Sequence, residues 1–233
     1  MAFLERSTAH RPRRLGILLT GLVALAACDF TDSGRSGELG RGLFFYECDN
    51  NPDDAFCDRE AYDREFPAAV AVGAFFKIDY SPEDSAAHVD LVSGCLDCME
   101  RTPDGFRMTT EGRAPLLAEN GSGEIYDVLH VDAKLATALV LRVDGDAWPQ
   151  GELVLVDGST HDLDATPQAA DGTELAGALD YEWSIADESV VALMSSGERN
   201  DVELRAMAVG QTTVTVRSGD VSFEIPVNVK EAG

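Results

Sequence analysis

The sequence has few basic residues, few histidines and an apolar N-terminal run too short to cross a membrane as a helix. Lysine and arginine number 18 against 42 aspartates and glutamates, and the formal net charge is −24. Such a surface repels nucleic acid and anionic lipid head groups, which argues against electrostatic binding to either. The apolar run from Leu15 to Ala27 has thirteen residues, whereas a membrane-spanning helix needs about 20.

Recognisable catalytic motifs are also missing. The four histidines are scattered, and no serine, histidine and aspartate stand at a spacing that by itself supports a catalytic triad. The sequence contains neither a phosphate-binding glycine loop nor a dinucleotide-binding fingerprint. It therefore predicts a protein that is not an enzyme and that carries no resident cofactor.

The N-terminus does contain an export signal. Three arginines between residues 11 and 14 precede the apolar run, whose length is typical of a signal peptide. The run ends in Leu25-Ala26-Ala27-Cys28. This order resembles the lipobox of bacterial lipoproteins, in which the cysteine is acylated and becomes the new N-terminus. The resemblance implies a signal peptide at residues 1–27.

The same resemblance implies a location. One acyl chain binds a membrane only marginally, so a multiply acylated Cys28 would attach the protein durably to a lipid membrane. We expect a lipid-anchored protein of the bacterial cell envelope. The sequence leaves open whether the inner or the outer membrane carries it.

Four further cysteines follow Cys28. They are Cys48, Cys57, Cys95 and Cys98. An even number in an exported chain indicates two disulfides, of which the sequence slightly favours the local pairs Cys48–Cys57 and Cys95–Cys98. The spacing of the second pair leaves a redox or metal-binding role open. No βαβ pattern surrounds it, and zinc would need additional ligands such as His88 or His130.

An acidic segment around the first pair partly matches a calcium-binding loop. The candidate ligands, at positions one, three, five and twelve of such a loop, are Asp49, Asn51, Asp53 and Glu60. Oxygen ligands at this spacing can bind a hard cation, but Asp54 replaces the glycine expected at position six. The favoured interpretation is a solvated acidic loop closed by a Cys48–Cys57 disulfide. Calcium binding is the alternative.

The C-terminal part of the chain alternates apolar and polar residues with a period of two. The alternating runs cover residues 202–208, 212–217 and 221–229. Period-two alternation indicates strands with one buried face, and short strands at this spacing predict an antiparallel β-sandwich.

Motifs in the same region resemble those of the group 2 bacterial immunoglobulin-like domain. They are Asp157-Gly158-Ser159-Thr160, Leu163-Asp164-Ala165, Glu182-Trp183-Ser184, Asp187 to Val191, and Val209 to Val216. The resemblance covers about Lys134 to Val229 and implies an immunoglobulin-like sandwich. Trp183 is expected to anchor its core. Gly210 is expected to adopt a turn conformation that a side chain would resist.

A weaker copy of the pattern precedes this domain. An apolar alternation between Val70 and Ile78 predicts one strand, and Gly112 would match Gly210. We therefore predict an all-β protein with tandem immunoglobulin-like β-sandwiches after a signal peptide and a flexible tether. The expected segments are a lipidated tether at 28–42, an acidic cysteine-containing insert at 43–65, a divergent first domain at 66–133 and a second domain at 134–230.

The expected function is that of a cell-envelope lipoprotein with a structural or adhesive role. Its ligand would be a protein or a polysaccharide, and the alternative is calcium-dependent binding through the acidic loop. One fold serves many functions, so the sandwich by itself does not identify the ligand.

Overall fold

The computed structural model describes residues 34–48, 53–57, 66–84, 87–148 and 151–233. Within these ranges the chain forms strands and no helix. The described residues accordingly contain no helix long and apolar enough to cross a membrane. The predicted signal peptide and Cys28 lie outside the described residues.

Eighteen strands are present in the described residues. The first nine are β1 (Gly34–Ser36), β2 (Gly42–Glu47), β3 (Val70–Ala71), β4 (Phe75–Pro82), β5 (Val89–Ser93), β6 (Met99–Thr102), β7 (Gly105–Met108), β8 (Gly112–Asn120) and β9 (Ile125–Lys134). The other nine are β10 (Ala138–Val143), β11 (Asp146–Ala147), β12 (Leu153–Val156), β13 (Thr160–Gln168), β14 (Glu182–Ile185), β15 (Val191–Leu193), β16 (Asp201–Ala206), β17 (Gly210–Ser218) and β18 (Val221–Lys230).

Strands β1 to β9 form a first sandwich of two sheets. One sheet has the order β1-β2-β4-β7-β6 and the other has the order β3-β9-β8-β5. Neighbouring strands are antiparallel except β3 and β9, which are parallel. Alternate residues of the strands face inward, and the core between the sheets includes the fully buried Phe44, Phe76, Leu116 and Leu129.

Strands β10 to β18 repeat this arrangement. Their sheets have the orders β11-β10-β13-β16-β15 and β12-β18-β17-β14, and β12 is again parallel to β18. Apart from the short strands β11 and β12, the orders correspond to strands A-B-E-D and G-F-C of the immunoglobulin fold. The first sandwich has the same order in β2-β4-β7-β6 and β9-β8-β5. The predicted all-β fold with tandem immunoglobulin-like sandwiches is confirmed.

The registers of the two sandwiches also match. Gly112 stands opposite Ala133 in the β8–β9 hairpin, as Gly210 stands opposite Val229 in the β17–β18 hairpin. The expectation for Gly210 was wrong, however, because its φ is not positive. A Cβ atom at Gly210 would lie 3.0 Å from Cγ2 of Val190. Close packing, and not an unusual backbone conformation, therefore disfavours a side chain there.

Trp183 lies in the core of the second sandwich, as predicted. It is on β14, the counterpart of strand C, and is 5% exposed. Its indole Nε1 donates a hydrogen bond to the carbonyl oxygen of Arg199 at 2.8 Å. A buried tryptophan on strand C is a hallmark of immunoglobulin domains.

The structure differs from the sequence prediction at the start of the first sandwich. Strand β1 pairs with β2, and β2 pairs with β4, so residues 34–47 belong to a sheet and not to a tether at 28–42 or an insert at 43–65. In β2 buried and more exposed residues alternate, and Phe44 and Tyr46 face inward. The neighbouring acidic residues made this alternation hard to recognise in the sequence. The stretch from Val70 to Ile78, predicted as one strand, is two strands separated by a turn at Val72–Gly73.

Candidate functional site

The two sandwiches share a junction at which part of the second enters the core of the first. Residues 169–179, between β13 and β14, form this part, which we call the junction segment. Leu175 and Ala176 are each 1% exposed and pack in the core of the first sandwich, together with Ala169. The second sandwich thus completes the hydrophobic core of the first.

Backbone hydrogen bonds hold the junction segment in place. Ala71 donates its N–H to the carbonyl of Ala176 at 2.9 Å, and Ala176 donates to the carbonyl of Ala69 at 3.0 Å. Phe75 and Ala178 donate to each other's carbonyls at 2.9 and 2.7 Å. Ala71 belongs to β3 in one sheet and Phe75 to β4 in the other. The junction segment therefore closes the first sandwich between its two sheets.

Gly177 of the junction segment packs tightly against the first sandwich. Its φ is +98°, a conformation that disfavours any side chain. A Cβ atom at this position would lie 2.6 Å from the Cβ of Ala74 and 3.3 Å from the carbonyl oxygen of Phe75. Glycine is thus required here both by the backbone conformation and by the space available.

A buried chain of hydrogen bonds continues from Gly177 into the first sandwich. The backbone of Gly177 hydrogen-bonds the hydroxyl of Tyr46, which itself donates to Oδ2 of Asp54 at 2.5 Å. Oδ1 of Asp54 accepts the N–H of Phe56 at 3.0 Å. Tyr46 and Asp54 are 4% and 0% exposed. Burial and the neighbouring Asp54 charge raise the pKa of Tyr46 well above its ordinary value, so the hydroxyl keeps its proton and remains a donor.

The loop that carries Asp54 is closed by the disulfide Cys48–Cys57, the local pairing favoured by the sequence. Its described part is not a solvated acidic loop, because Asp54, Ala55 and Phe56 are buried. That expectation failed because Asp54, which looked like one acidic residue among many, is the acceptor for Tyr46.

The structure describes one of the four candidate calcium ligands. Oδ1 of Asp53 lies 3.4 Å from Nε of Arg199 in the second sandwich, so it contacts a cationic side chain of the protein. Asp49, Asn51 and Glu60 lie outside the described residues. Among the residues the structure describes, no three histidine, cysteine, aspartate or glutamate side chains converge as metal ligands.

A surface ion pair also crosses the junction. Nζ of Lys134, at the end of β9, lies 2.7 Å from Oδ2 of Asp171 and 2.9 Å from Oγ1 of Thr173. The hydrogen bond from Lys134 holds the pKa of Asp171 well below its usual range. Exposed pairs of this kind contribute little to stability, so the buried contacts dominate the junction.

The second disulfide, Cys95–Cys98, lies in the turn between β5 and β6. Leu96, within that turn, is 80% exposed. The histidines considered as zinc ligands do not join it: His88 is exposed, and Nδ1 of His130 lies 2.6 Å from Oε1 of Glu38.

The structure also brings together three polar side chains whose proximity the sequence does not predict. Nδ1 of His161 lies 2.6 Å from Oδ2 of Asp144, and its Nε2 lies 3.0 Å from Oγ of Ser159. Asp144 is in the turn between β10 and β11, whereas Ser159 immediately precedes β13 and His161 is the second residue of that strand. The pairing of β10 with β13 creates this proximity, and a spacing of 17 residues gave no sign of it.

The junction predicts a difference between two glycine substitutions. Gly177→Ala and Gly172→Ala both place a side chain at a positive φ, +98° and +86°, but a Cβ at Gly172 meets nothing within 4 Å. We expect Gly177→Ala to lose about 1–3 kcal/mol more unfolding free energy than Gly172→Ala, because only Gly177 is overpacked. Urea denaturation of both variants measures this, and equal losses would contradict the packing described for the junction.

No known protein family and no curated protein matches the sequence. Solved structures similar to parts of the chain include domains 4 and 5 of the S-layer protein SbsC, with 16% identity over 70% of this chain and 95% of that chain and a TM-score of 0.32. InvD of Yersinia pseudotuberculosis has 16% identity over 71% and 56% of the two chains and a TM-score of 0.31. The I9–I11 tandem of titin has 11% identity over 70% and 64% and a TM-score of 0.26. The strand order described above assigns the immunoglobulin-like fold.

Proposed function

We propose that this protein is a lipid-anchored cell-envelope protein whose two sandwiches act as one stiff structural or adhesive module. The junction is the observation that supports the stiffness of the module, and the lipobox-like sequence that ends in Cys28 supports the anchor. Domains within a chain are expected to move relative to each other unless their interface is extensive and apolar. Here Leu175 and Ala176 fill the core of the other sandwich, and backbone hydrogen bonds fix their position. Bending at the junction would expose that core.

The proposed anchor lies close to the first sandwich in sequence. Cys28 would be the lipidated residue, and β1 already begins at Gly34. Even when fully extended, this connection spans roughly 20 Å at 3.3–3.6 Å per residue. The first sandwich would therefore stay near the membrane surface, while the acidic chain is repelled by anionic head groups. Within that reach, the repulsion would keep the acidic module off the bilayer surface.

The acidic loop fits the same role. Asp54 supports Tyr46, and Asp53 contacts Arg199 of the second sandwich. The buried hydrogen bond to Tyr46 favours a loop that supports the junction over one that binds calcium. The partner of an adhesive module would be a protein or a polysaccharide.

The stiffness of the module can be measured with two spin labels. Arg101 and Glu224 are exposed residues of the first and second sandwich and are suitable for substitution by cysteine in a Cys28→Ser background. We expect one narrow interlabel distance distribution by pulsed electron paramagnetic resonance. Gly172→Ala should leave the distribution unchanged, and Gly177→Val should broaden it. A broad distribution without any junction substitution would show that the sandwiches move independently.

The anchor has its own test. Cys28→Ser removes the thiol that would be acylated, so the protein should shift from the membrane fraction to the soluble fraction of the producing bacterium. Immunoblotting of fractions after a salt and carbonate wash measures the shift. Retention of the variant in washed membranes would rule out acylation of Cys28 as the means of attachment.

A further inference from the structure

Asp144, His161 and Ser159 are connected in the order carboxylate, imidazole, hydroxyl. The distances are 2.6 Å from Asp144 Oδ2 to His161 Nδ1 and 3.0 Å from His161 Nε2 to Ser159 Oγ. A serine becomes nucleophilic when an imidazole can take its proton and a carboxylate orients that imidazole, whatever the fold or chain order. We propose that Ser159 is an activated nucleophile that accepts the acyl group of an uncharged, activated ester.

Asp144 is well placed to orient His161. It occupies a tight turn with φ at +52°, and its Oδ1 accepts the N–H of Asp162 at 3.0 Å. The hydrogen bond with His161 lowers the pKa of Asp144, so its carboxylate is ionised at neutral pH. An ionised carboxylate on Nδ1 favours the tautomer with its proton on that atom. Nε2 is then free to act as an acceptor toward Ser159.

The hydroxyl of Ser159 has two acceptors within reach. Its Oγ lies 2.6 Å from the carbonyl oxygen of Val156 and 3.0 Å from Nε2 of His161. Rotation of the hydroxyl proton about the Cβ–Oγ bond switches between them without moving a heavy atom. Ser159 is partly exposed, so a reagent can reach it from solvent.

The repeated fold shows that these side chains are not required by the sandwich itself. In the first sandwich, Ala74 and Phe76 stand where the second has the serine and the histidine. The match follows from the backbone, because Met108 donates its N–H to the carbonyl of Ala74 as Ala206 donates to that of Ser159. Apolar side chains therefore suffice structurally at both positions. The hydrogen-bonded side chains of Asp144, His161 and Ser159 are a separate feature of the second sandwich.

The surroundings indicate what Ser159 would accept. Val156 and Met207, 46% and 51% exposed, offer apolar surface in the segments that flank the serine. The exposed carboxylates of Asp157 and Asp162 repel anions. An uncharged ester with a small apolar acyl group fits both conditions.

The turn supplies no oxyanion hole. The N–H groups of Asp157, Gly158 and Ser159 donate to the carbonyls of Lys230, Ala206 and Val156. Losing one oxyanion-hole donor lowers an enzyme's rate by about 10²–10³. Ser159 is therefore expected to be acylated slowly and to remain acylated, so covalent capture is a better assay than steady-state turnover.

The step balances without an oxidant or a reductant. Oγ of Ser159 bonds to the acyl carbon while its proton passes to Nε2 of His161. The ester bond to the leaving alkoxide breaks, and His161 returns the proton to that alkoxide. Water attacking the acyl carbon later releases the acid and restores the hydroxyl of Ser159.

Mass spectrometry of the full-length protein in detergent tests the proposal. The probes are diisopropyl fluorophosphate and 4-nitrophenyl acetate, with peptide mapping to locate the adduct. We expect an adduct on Ser159 that Ser159→Ala abolishes. His161→Gln should slow its formation by about 10²-fold, the low end of the range for general-base catalysis. Asp144→Asn should slow it at least tenfold, because it favours the wrong histidine tautomer.

Ser189 provides the matched control. Its Oγ donates to Oδ1 of Asp187 at 2.6 Å without an intervening imidazole, so Ser189→Ala should leave the labelling rate unchanged. Circular dichroism and melting curves identify any variant that is unfolded, and Asp144→Asn replaces His161→Gln if the latter does not fold. Labelling of Ser159 no faster than of Ser189, or unaffected by the His161 and Asp144 substitutions, would overturn the proposal. Those outcomes would show a polar surface cluster without nucleophilic activation.

Discussion

The insertion of Leu175 and Ala176 between the two sheets of the first sandwich governs the rest of the structure. Burying a leucine side chain fully contributes about 1.5–3 kcal/mol, and in this protein that gain depends on both sandwiches being in contact. Tyr46 reinforces the dependence, because its hydroxyl is buried and takes partners from both sides of the junction. Separating the sandwiches would lose the apolar contact and the Gly177 partner of Tyr46 together.

This arrangement explains the position of the disulfide Cys48–Cys57. The cysteines are nine residues apart and enclose the loop that presents Asp54 to Tyr46. A disulfide lowers the conformational entropy of the unfolded chain, and a loop this short would otherwise have little core of its own to hold it. The covalent link thus keeps the acceptor in place, and Asp53 of the same loop reaches Arg199 in the second sandwich. Covalent, polar and apolar contacts all converge on one junction.

The sequence predicts the sandwiches better than it predicts how they meet. Period-two alternation predicts β16 to β18 directly. Trp183 has the hydrophobicity and the position of a core residue, and it is buried. Strand β2 was missed because it lies between glycine-rich and acidic segments. The junction segment carries no periodicity at all, since Leu175 and Ala176 are buried by a neighbouring sandwich and not by their own. Contacts of that kind depend on the assembled fold.

The same limit applies to the polar residues. Composition does not distinguish Asp53 and Asp54 from the other carboxylates of an acidic chain. The partner of Asp54 is Tyr46 in the first sandwich, and the partner of Asp53 is Arg199 in the second. Asp144 meets His161 because β10 pairs with β13. Sequence patterning finds the strands, but the residues that act together come from strand pairing and from the contact between sandwiches.

Native-state hydrogen exchange tests most directly whether the junction is part of one cooperative core. The amides of Ala176 and Ala178 donate across the junction, so we expect them to exchange only through unfolding of the core. Their exchange free energies should then equal those of core amides in β4 and β9. Exchange of these two amides at the much lower free energy of a locally opening loop would show instead that the sandwiches fold and move separately.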